Sequence, residues 1–375
     1  MFALRRRTTV AAAISALSAV SALSMATSGP ATADQSSLVS PVQAAMVSHG
    51  TVPLSWSILT TGSTQDFRGV DAVSRSVVWA AGTNGAVLLT VDAGSTWKDV
   101  SPPQARNVYF RDIEATSARH AVLMSVSGVE NEPSGRVWVT DDGGATWSSP
   151  LATTDTRSFF DCLAFSSPDD GYLVGDPVDG RFEFYLTHDA GHHWRKADPA
   201  GMPIAVDGQF AFAAGGACMS AIGHSVWFGT GGTASQIYRS TDSGHTFTAV
   251  PTTIISGDSA GIFAAQFRDD QHGIALGGDI DNLTSAAHNT AISTDSGRTW
   301  REPKSYPAGL RTAAAWVAPF PAAIAVGPTG SEISLDDGHS WRPIDTNPWN
   351  TVSCSRDLAC YAVGNSGLVA RLKVS

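Results

Sequence analysis

The chain has 375 residues, of which 43% are hydrophobic, and its 34 Asp and Glu against 24 Lys and Arg give a formal charge of −10. This acidic balance argues against nucleic acid or an anionic membrane surface as the partner, because both would repel it. The length exceeds that of a usual single core, so the chain forms either two domains or one modular fold.

The N-terminus has the pattern of an export signal. Three arginines at positions 5–7 precede an apolar stretch of small residues that ends in Ala-Thr-Ala at Ala33. We expect residues 1–33 to be a signal peptide cleaved near Ala33, and residues 34–49 to be a flexible segment. The arginines leave the export route open between the general and the twin-arginine pathway. No later apolar run is long enough to span a membrane, so the mature chain is expected to be secreted or in the cell envelope.

A turn motif recurs six times after the signal. Its copies are TVDAGSTW (90–97), TDDGGATW (140–147), THDAGHHW (187–194), STDSGHTF (240–247), STDSGRTW (293–300) and SLDDGHSW (334–341). Their Asp residues lie 41 to 53 residues apart, which is the length of a four-stranded propeller blade. In each copy the Asp can accept backbone N–H groups, the Gly supplies a positive φ, and the aromatic residue starts the next strand.

We call these segments the Asp turns. One such turn per blade, at the outer rim, cannot converge on a substrate, so the acidic residues are predicted to be structural rather than catalytic. They are Asp92, Asp142, Asp189, Asp242, Asp295 and Asp336.

A second repeat runs in register with the first and consists of apolar segments ended by glycine, typical of strands buried on both faces. Its copies are VVWAAG (77–82), the looser VLMSVSG (122–128), GYLVG (171–175), VWFG (226–229), IALG (274–277), IAVG (324–327) and YAVG (361–364). The last blade has room for only three strands, and PLSWSILTT (53–61) is predicted to supply the fourth, with Trp56 in place of the motif aromatic. We therefore predict an all-β fold, a single seven-bladed β-propeller over residues 50–375, closed by its N-terminal strand.

The inner strand of each blade begins at the central channel, so equivalent residues at its start form a ring. Our alignment places at this position Arg68, Arg111, Asp161, Ala214, Phe263, Arg311 and Asn350. Three arginines beside one aspartate in an acidic protein predict a mouth that binds an anion or a partner, with Asn350 contributing. The alternative is that Asp161 pairs with a neighbouring arginine only to close the ring.

Two other groups of polar residues are interpreted as turns. His192 and His193 are adjacent in one Asp turn and face opposite sides of the chain, and no further ligand spacing supports a metal, so none is expected. The loops GDPVDG (175–180) and GGDID (277–281) carry carboxylates that either hold a cation or a basic group of a partner, or shape Asp-Gly turns. The turn interpretation is favoured.

The four cysteines lie in a chain whose predicted compartment permits disulfides. Cys354 and Cys360 flank a short connection in the last blade and are predicted to form a bridge. Cys162 and Cys218 lie in adjacent inner strands but at different heights in our alignment, which favours two buried thiols, with a bridge as the alternative.

The motifs also carry a family resemblance. The Asp turns resemble the Asp-box, or bacterial neuraminidase (BNR), repeat of many propellers. The stretches FRGVDAV (67–73), GDPVDGRFEFYLTHDAGHHW (175–194), SAGIFAAQFRDDQHGIALGGD (259–279) and AVGPTGSEISLDDGHSW (325–341) resemble bacterial relatives of the photosystem II stability/assembly factors, often catalogued as oxidoreductases. The resemblance covers nearly the whole mature chain. It implies a seven-bladed propeller, a non-catalytic role in complex assembly in the photosynthetic members, and a partner-binding arginine patch to which Arg68 corresponds.

These observations favour a monomeric, non-catalytic, cofactor-free platform that binds a protein partner or a small anion. The alternative is a sialidase-like glycosidase, which needs an arginine triad and a Tyr nucleophile backed by Glu; here FRGVD lacks the Ile-Pro that usually follows Phe-Arg. An oxidoreductase is a third and weaker interpretation, because the sequence has no GxGxxG after a strand, no CxxCH and no clustered Cys and His set.

Overall fold

The computed structural model describes residues 52–127 and 135–375. These residues form seven antiparallel sheets, one per blade, and the inner strands of all seven line a central cavity. The architecture confirms the predicted seven-bladed propeller. The predicted signal peptide and the segment 34–49 lie outside the described residues. No helix in the described part of the chain has the length and apolar character of a membrane span.

The first three blades, each from its inner to its outer strand, are β2 (Phe67–Ala72), β3 (Val78–Gly82), β4 (Val87–Thr90) and β5 (Lys98–Asp99); β6 (Val108–Ala115), β7 (Ala121–Ser127), β8 (Arg136–Thr140) and β9 (Ser148–Ala152); and β10 (Phe160–Phe165), β11 (Gly171–Val178), β12 (Arg181–Thr187) and β13 (Arg195–Lys196).

The next three blades are β15 (Met219–Ile222), β16 (Ser225–Gly229), β18 (Gln236–Ser240) and β19 (Thr248–Pro251); β20 (Gly257–Phe267), β21 (Gly273–Asp279) and β22 (Thr290–Ser293); and β23 (Ala313–Trp316), β24 (Ala323–Gly327), β25 (Gly330–Ser334) and β26 (Arg342–Asp345). The short strands β14 (Gln209–Phe210) and β17 (Gly231–Gly232) join the sheet of the fifth blade. Short 3-10 turns occur at Thr83–Gly85, Pro199–Gly201 and Ile280–Asn282.

The seventh blade joins the two ends of the described chain. Its strands are β27 (Thr351–Cys354), β28 (Cys360–Val363), β29 (Val369–Val374) and, on the outside, β1 (Leu54–Leu59). β1 pairs antiparallel with β29, with Leu54 opposite Val374 and Leu59 opposite Val369. This pairing confirms the predicted closure and gives the edge of β29 a partner.

Trp56 fixes β1 in this place. Its side chain is 8% exposed, its indole Nε1 donates to Ser331 Oγ at 2.8 Å, and its ring lies 5.4 Å from that of Trp349. The indole therefore packs against the neighbouring sixth blade as well as its own.

The second strand of each blade is buried along most of its length. All residues of β3, β24 and β28 are buried, and the tryptophans Trp79 and Trp227 are fully enclosed between blades. The continuous apolar runs of the sequence thus correspond to strands covered on both faces by adjacent blades.

Each Asp turn connects the third strand of a blade to its outer segment. In STDSGRTW, Asp295 Oδ1 accepts the backbone N–H of Thr299 at 2.9 Å and Oδ2 accepts the Thr299 hydroxyl at 2.7 Å. Ser293 Oγ accepts the N–H of Gly297, whose φ is +77°. In the equivalent turn the side-chain and backbone hydrogen bonds from Thr146 lower the pKa of Asp142 to about 2. The carboxylates are thus occupied by their own turns.

Both cysteine pairs are joined. The sulfur atoms of Cys354 and Cys360 are 2.07 Å apart, and the two residues face each other in β27 and β28. Cys162 and Cys218 are also bonded, with Cα atoms 6.0 Å apart. The expectation of two thiols is wrong because Met219 pairs with Phe228 at the end of β16. That register puts Cys218 at the start of the fourth inner strand, at the position equivalent to Asp161 and one residue from that of Cys162, which brings the two sulfur atoms within bonding reach.

The role of Trp56 in closure is testable with a matched pair of variants. Trp56→Ala should lower the free energy of unfolding by about 3–5 kcal/mol, because it removes a large buried side chain. Ile58→Ala lies two residues along the same strand, where the side chain is 56% exposed, and should lower it by less than about 1 kcal/mol. Urea unfolding followed by tryptophan fluorescence and circular dichroism measures both; equal losses would show that the strand, and not the indole, holds the ring.

The pairing of the cysteines is testable by peptide mapping. Digestion of the oxidised protein without reductant should yield one peptide pair containing Cys162 and Cys218, joined across two blades. Reduction should separate the pair. Recovery of both cysteines as alkylated free thiols, before any reductant is added, would contradict the bridge.

Candidate functional site

The site predicted from the sequence lies at an irregularity of the inner strands. In the first blade, Phe67 pairs with Gly82 and Gly69 pairs with Ala81, so Arg68 is an extra residue without a direct partner. Such a β-bulge bends the strand and redirects the side chain. The same bulge occurs in three other blades, at Arg111, Asp161 and Phe263.

The register of the remaining blades differs in part from the alignment. Asn350 occupies the expected position, because Thr351 pairs with Val363 just before Gly364. In the sixth blade Ala313 pairs with Val326 just before Gly327, so Thr312 and not Arg311 holds the equivalent place. In the fourth blade the place belongs to Cys218 instead of Ala214. The observed ring is Arg68, Arg111, Asp161, Cys218, Phe263, Thr312 and Asn350.

Arg311 is engaged in a buried ion pair. Its Nε and Nη2 donate to Glu332 Oε2 at 3.2 and 3.0 Å, and Nη1 donates to Leu310 O and Thr329 Oγ1. The side chains of Arg311 and Glu332 are 2% and 7% exposed. The expected grouping of three arginines at one mouth is therefore wrong for Arg311. Glu332 was missed, although an acid inside the buried strand GSEIS is itself a signal of a buried cation partner.

Arg68 and Arg111 lie close enough to affect each other. Arg68 is 4% exposed, and its burial, together with the Arg111 charge, lowers the pKa of Arg68 to about 9 against the opposing effect of Asp66. Burial also lowers the pKa of Arg111, which Tyr109 and Asp161 raise in part.

Neither of these two guanidinium groups forms an ion pair with a carboxylate in the described residues. Arg111 Nε is buried without a hydrogen-bond partner there, and its guanidinium lies 5.9 Å from the ring centre of Tyr109. A desolvated cation in this state is strongly stabilised by any anion that reaches it.

Asn350 links the two ends of the ring of blades. Its Nδ2 donates to Phe67 O at 2.8 Å and to Asn365 Oδ1 at 2.7 Å. The amide therefore ties the seventh blade to the first. Both hydrogen bonds use its Nδ2, so this donor group already has partners within the fold.

An acidic group that the sequence analysis missed lines the central cavity, whose volume is about 300 Å³. Asp71 accepts the N–H of Ala115 at 2.6 Å, and Asp112 accepts those of Ile113 and Leu163, both at 2.8 Å. Burial raises the pKa of Asp71 to about 6.

The same cavity wall carries Glu114. Burial, followed by the charges of Asp71 and Asp112, raises the pKa of Glu114 well above its ordinary value, and burial does the same for Asp112. The signal in the sequence was an acid three residues after each ring arginine, in FRGVD and FRDIE, with a further acid directly after Arg111. The strand alternation there points every second side chain inward.

The carboxylates of the two loops mostly bond within the fold. Asp176 Oδ1 accepts the N–H of Ala211 at 3.0 Å, and Asp279 Oδ1 accepts Ser259 Oγ and the N–H of Asp281. Of these bonds, the one from the N–H of Asp281 to Asp279 is local, as the turn interpretation expects, while the other two join separate segments of the chain.

Within the described residues Tyr109 contacts Arg111, but the Tyr and Glu pair of the kind that a sialidase would need lies elsewhere. Tyr185 donates to Glu183 Oε1 at 3.4 Å, but Glu183 is also bound by Lys196 and Ser158 and lies in β12, the third strand of its blade. Burial and the Glu183 charge raise the pKa of Tyr185, which is the opposite of what activates a phenolate nucleophile.

Comparison with solved structures shows the fold. A structure of YCF48 bound to D1 peptide matches with a TM-score of 0.57 at 15% identity, covering 86% of this chain and 99% of that one. U3-55K matches with a TM-score of 0.60 at 9% identity, covering 85% and 98%. The WD40 propeller domain of Doa1 matches with a TM-score of 0.53 at 12% identity, covering 86% and 98%. At these identities the likeness establishes a propeller and nothing finer.

The sequence comparisons add no family. No family model matches the chain, and no curated protein matches it.

The acidic wall of the cavity predicts an unusual pH dependence. Carboxyl groups whose pKa is raised on folding hold more protons in the folded state, so the free energy of unfolding should fall as pH rises from about 4 through about 6 and above. Glu114→Gln removes one of these charges and should raise the free energy of unfolding at pH 8 by roughly 1 kcal/mol or more, with a smaller gain at pH 5. Denaturant melts across this pH range measure the effect.

Asp207→Asn provides the control, because Asp207 is an exposed carboxylate away from the cavity. It should leave the pH profile unchanged. A Glu114→Gln profile that runs parallel to that of the wild type would show that Glu114 carries no folding-linked proton.

Proposed function

We propose that this protein is a secreted, non-catalytic propeller that binds a protein partner through an acidic group docked on Arg68 and Arg111. The observation that carries the proposal is a pair of neighbouring guanidinium groups, that of Arg68 buried and that of Arg111 partly exposed, with no carboxylate ion pair in the described residues. Two desolvated cations near each other, offset only in part by Asp66 and Asp161, lower stability, so an incoming carboxylate gains from both charges at once. Arg111 remains partly exposed and is the group that a partner can reach first.

A protein, rather than a free small anion, is favoured as the partner on two grounds. The motifs of the sequence resemble the photosystem II stability/assembly factors, whose role is to assemble a protein complex. The structure of YCF48, a propeller of this shape, holds a D1 peptide. An acidic side chain or a terminal carboxylate of a polypeptide has the chemistry that two arginines recognise.

An extracytoplasmic location is part of the same proposal. The N-terminal pattern supports cleavage near Ala33, and both pairs of cysteines are joined in the fold. Disulfides of this kind persist in oxidising compartments and are rare in the cytosol.

The proposal predicts that one substitution separates binding from stability. Arg111→Met keeps the length and apolar stem of the side chain but removes the charge, so partner capture should fall at least about tenfold, the effect of losing one charge-assisted hydrogen bond. The melting temperature should stay the same or rise, because a largely desolvated charge without an ion-pair partner is gone. The measurements are a pull-down from the native secreted and envelope fractions, quantified by mass spectrometry, and a thermal melt.

Arg75→Met is the matched control. Arg75 is exposed in the turn between β2 and β3, at the other end of the hairpin from Arg68. It should retain every captured protein. Equal capture by the wild type and Arg111→Met would refute the arginine site, and capture of no protein by the wild type would refute a protein partner and leave small carboxylates to be assayed by thermal shift.

A further inference from the structure

A group of two histidines and one aspartate lies where the second and third blades meet. His120 ends the turn before β7, Asp141 follows β8, and His192 lies in the Asp turn of the third blade. His120 Nδ1 is 2.8 Å from Asp141 Oδ1, and His192 Nε2 is 3.4 Å from Asp141 Oδ2. One nitrogen or oxygen atom can be chosen from each residue so that all three lie within 4.8 Å of one another.

The packing of the Asp turn brings His192 to this place. A Cβ atom added to Gly191 would lie 2.9 Å from Val122 Cγ2 and 3.5 Å from Val139 Cγ2, so the turn rests directly on β7 and β8 of the preceding blade. His192 follows Gly191 and therefore reaches the edge of that blade, where His120 and Asp141 lie. The two imidazole rings are 6.0 Å apart.

The donor atoms suit a divalent transition metal. Imidazole nitrogen and carboxylate oxygen bind Zn²⁺ at about 2.0–2.2 Å, and ligands of a tetrahedral ion at that distance lie about 3.4 Å from each other. The separation of His192 Nε2 from Asp141 Oδ2, 3.4 Å, matches this value, and that of His120 Nδ1 from Asp141 Oδ1, 2.8 Å, is shorter, as in a hydrogen bond. Three protein ligands leave the fourth position for water or another ligand, as in open zinc sites.

The three side chains differ in exposure in a way that suits an ion entering from solvent. The side chain of His120 is 13% exposed, that of His192 is 38% exposed, and that of Asp141 is 62% exposed. His120 Nε2 is buried without a hydrogen-bond partner in the described residues, so no second bond orients the ring. We therefore expect weaker binding than at a four-ligand structural zinc site, whose histidines are held by a second shell.

The junction of the third and fourth blades has a His–Asp contact without a second histidine. There His188 Nδ1 lies 2.8 Å from Asp170 Oδ1. Asp170 stands at the position of His120, and His188 at the position of Asp141, so the two residue types have changed places. The residue equivalent to His192 is His245, and its Nδ1 instead faces Asp242 O of its own turn at 2.6 Å. The junction of the second and third blades is the one place in the described residues where three such groups converge.

We infer that His120, Asp141 and His192 form a binding site for a divalent transition metal of the zinc class, which joins the second blade to the third. The site is independent of the arginine pair. It adds a metal to a chain whose sequence pointed to none, because its ligands come from two blades and are separated by 21 and 51 positions along the chain.

Metal titration of the intact protein tests the inference. Untagged mature protein, freed of metal with EDTA, is titrated with Zn²⁺ by calorimetry and with Co²⁺ by visible absorption, where imidazole coordination produces d–d bands. The wild type should bind one ion at this site, and Zn²⁺ should raise its melting temperature with increasing concentration, since binding favours the folded state. His120→Ala, Asp141→Asn and His192→Ala should each weaken binding at least about tenfold and remove the thermal shift.

Two variants serve as matched controls. His193→Ala changes the neighbouring histidine, whose side chain is 89% exposed and faces Asp189, and His188→Ala breaks the two-group contact at the next junction. Both should bind Zn²⁺ and Co²⁺ as the wild type does. Circular dichroism of the metal-free variants checks that each one is folded.

The inference would be overturned by three results. One is a wild type that binds neither ion. Another is binding that persists in all three ligand variants, which would place the ion elsewhere. The third is an equal loss in His193→Ala or His188→Ala, which would indicate general histidine binding at the surface.

Discussion

The antiparallel pairing of β1 with β29 is the contact on which the rest of this molecule depends. Seven blades face a common axis only if the last is held beside the first, and here strand β1 completes the seventh blade. The Trp56 indole secures that strand against two blades, and Asn350 ties the seventh blade to Phe67 of the first. Without closure the inner strands of the seven blades would not surround one cavity.

The closed ring brings charged side chains of both signs together around the central cavity. Arg68 and Arg111 occupy bulges at the start of the first two inner strands, and Asp71, Asp112 and Glu114 follow within the same strands. Burial lowers the pKa of the arginines and raises that of the acids, so both groups are less stable in their charged forms than they would be in water. Charge that lowers stability is a common feature of sites that bind ligands. Arg311 shows the contrast, since Glu332 neutralises it and the pair holds one blade together.

Errors in the sequence analysis arose where the spacing of the repeats varies. Five of the seven ring positions were predicted, because the glycine that ends each second strand marks the register. In the fourth blade the inner strand begins later than the alignment assumed, so Cys218 was placed at the wrong height and its bond to Cys162 was judged out of reach. In the sixth blade a shift of one residue exchanged Thr312 for Arg311. A shift of one position in a strand moves a side chain to the opposite face, and that is enough to turn a channel residue into a buried partner of Glu332.

The sequence by itself determined the number of blades, the positions of their turns and the strand that closes the ring, because these follow from local patterns that repeat at a fixed period. The hydrogen bonds of each Asp turn are also local, spanning four residues. Only the tertiary structure decided which polar side chains from different blades meet. The Arg68 and Arg111 pair, the acidic wall of the cavity and the His120, Asp141 and His192 group each combine residues from separate strands or blades. Their distances depend on how one blade packs on the next, which no spacing along the chain encodes.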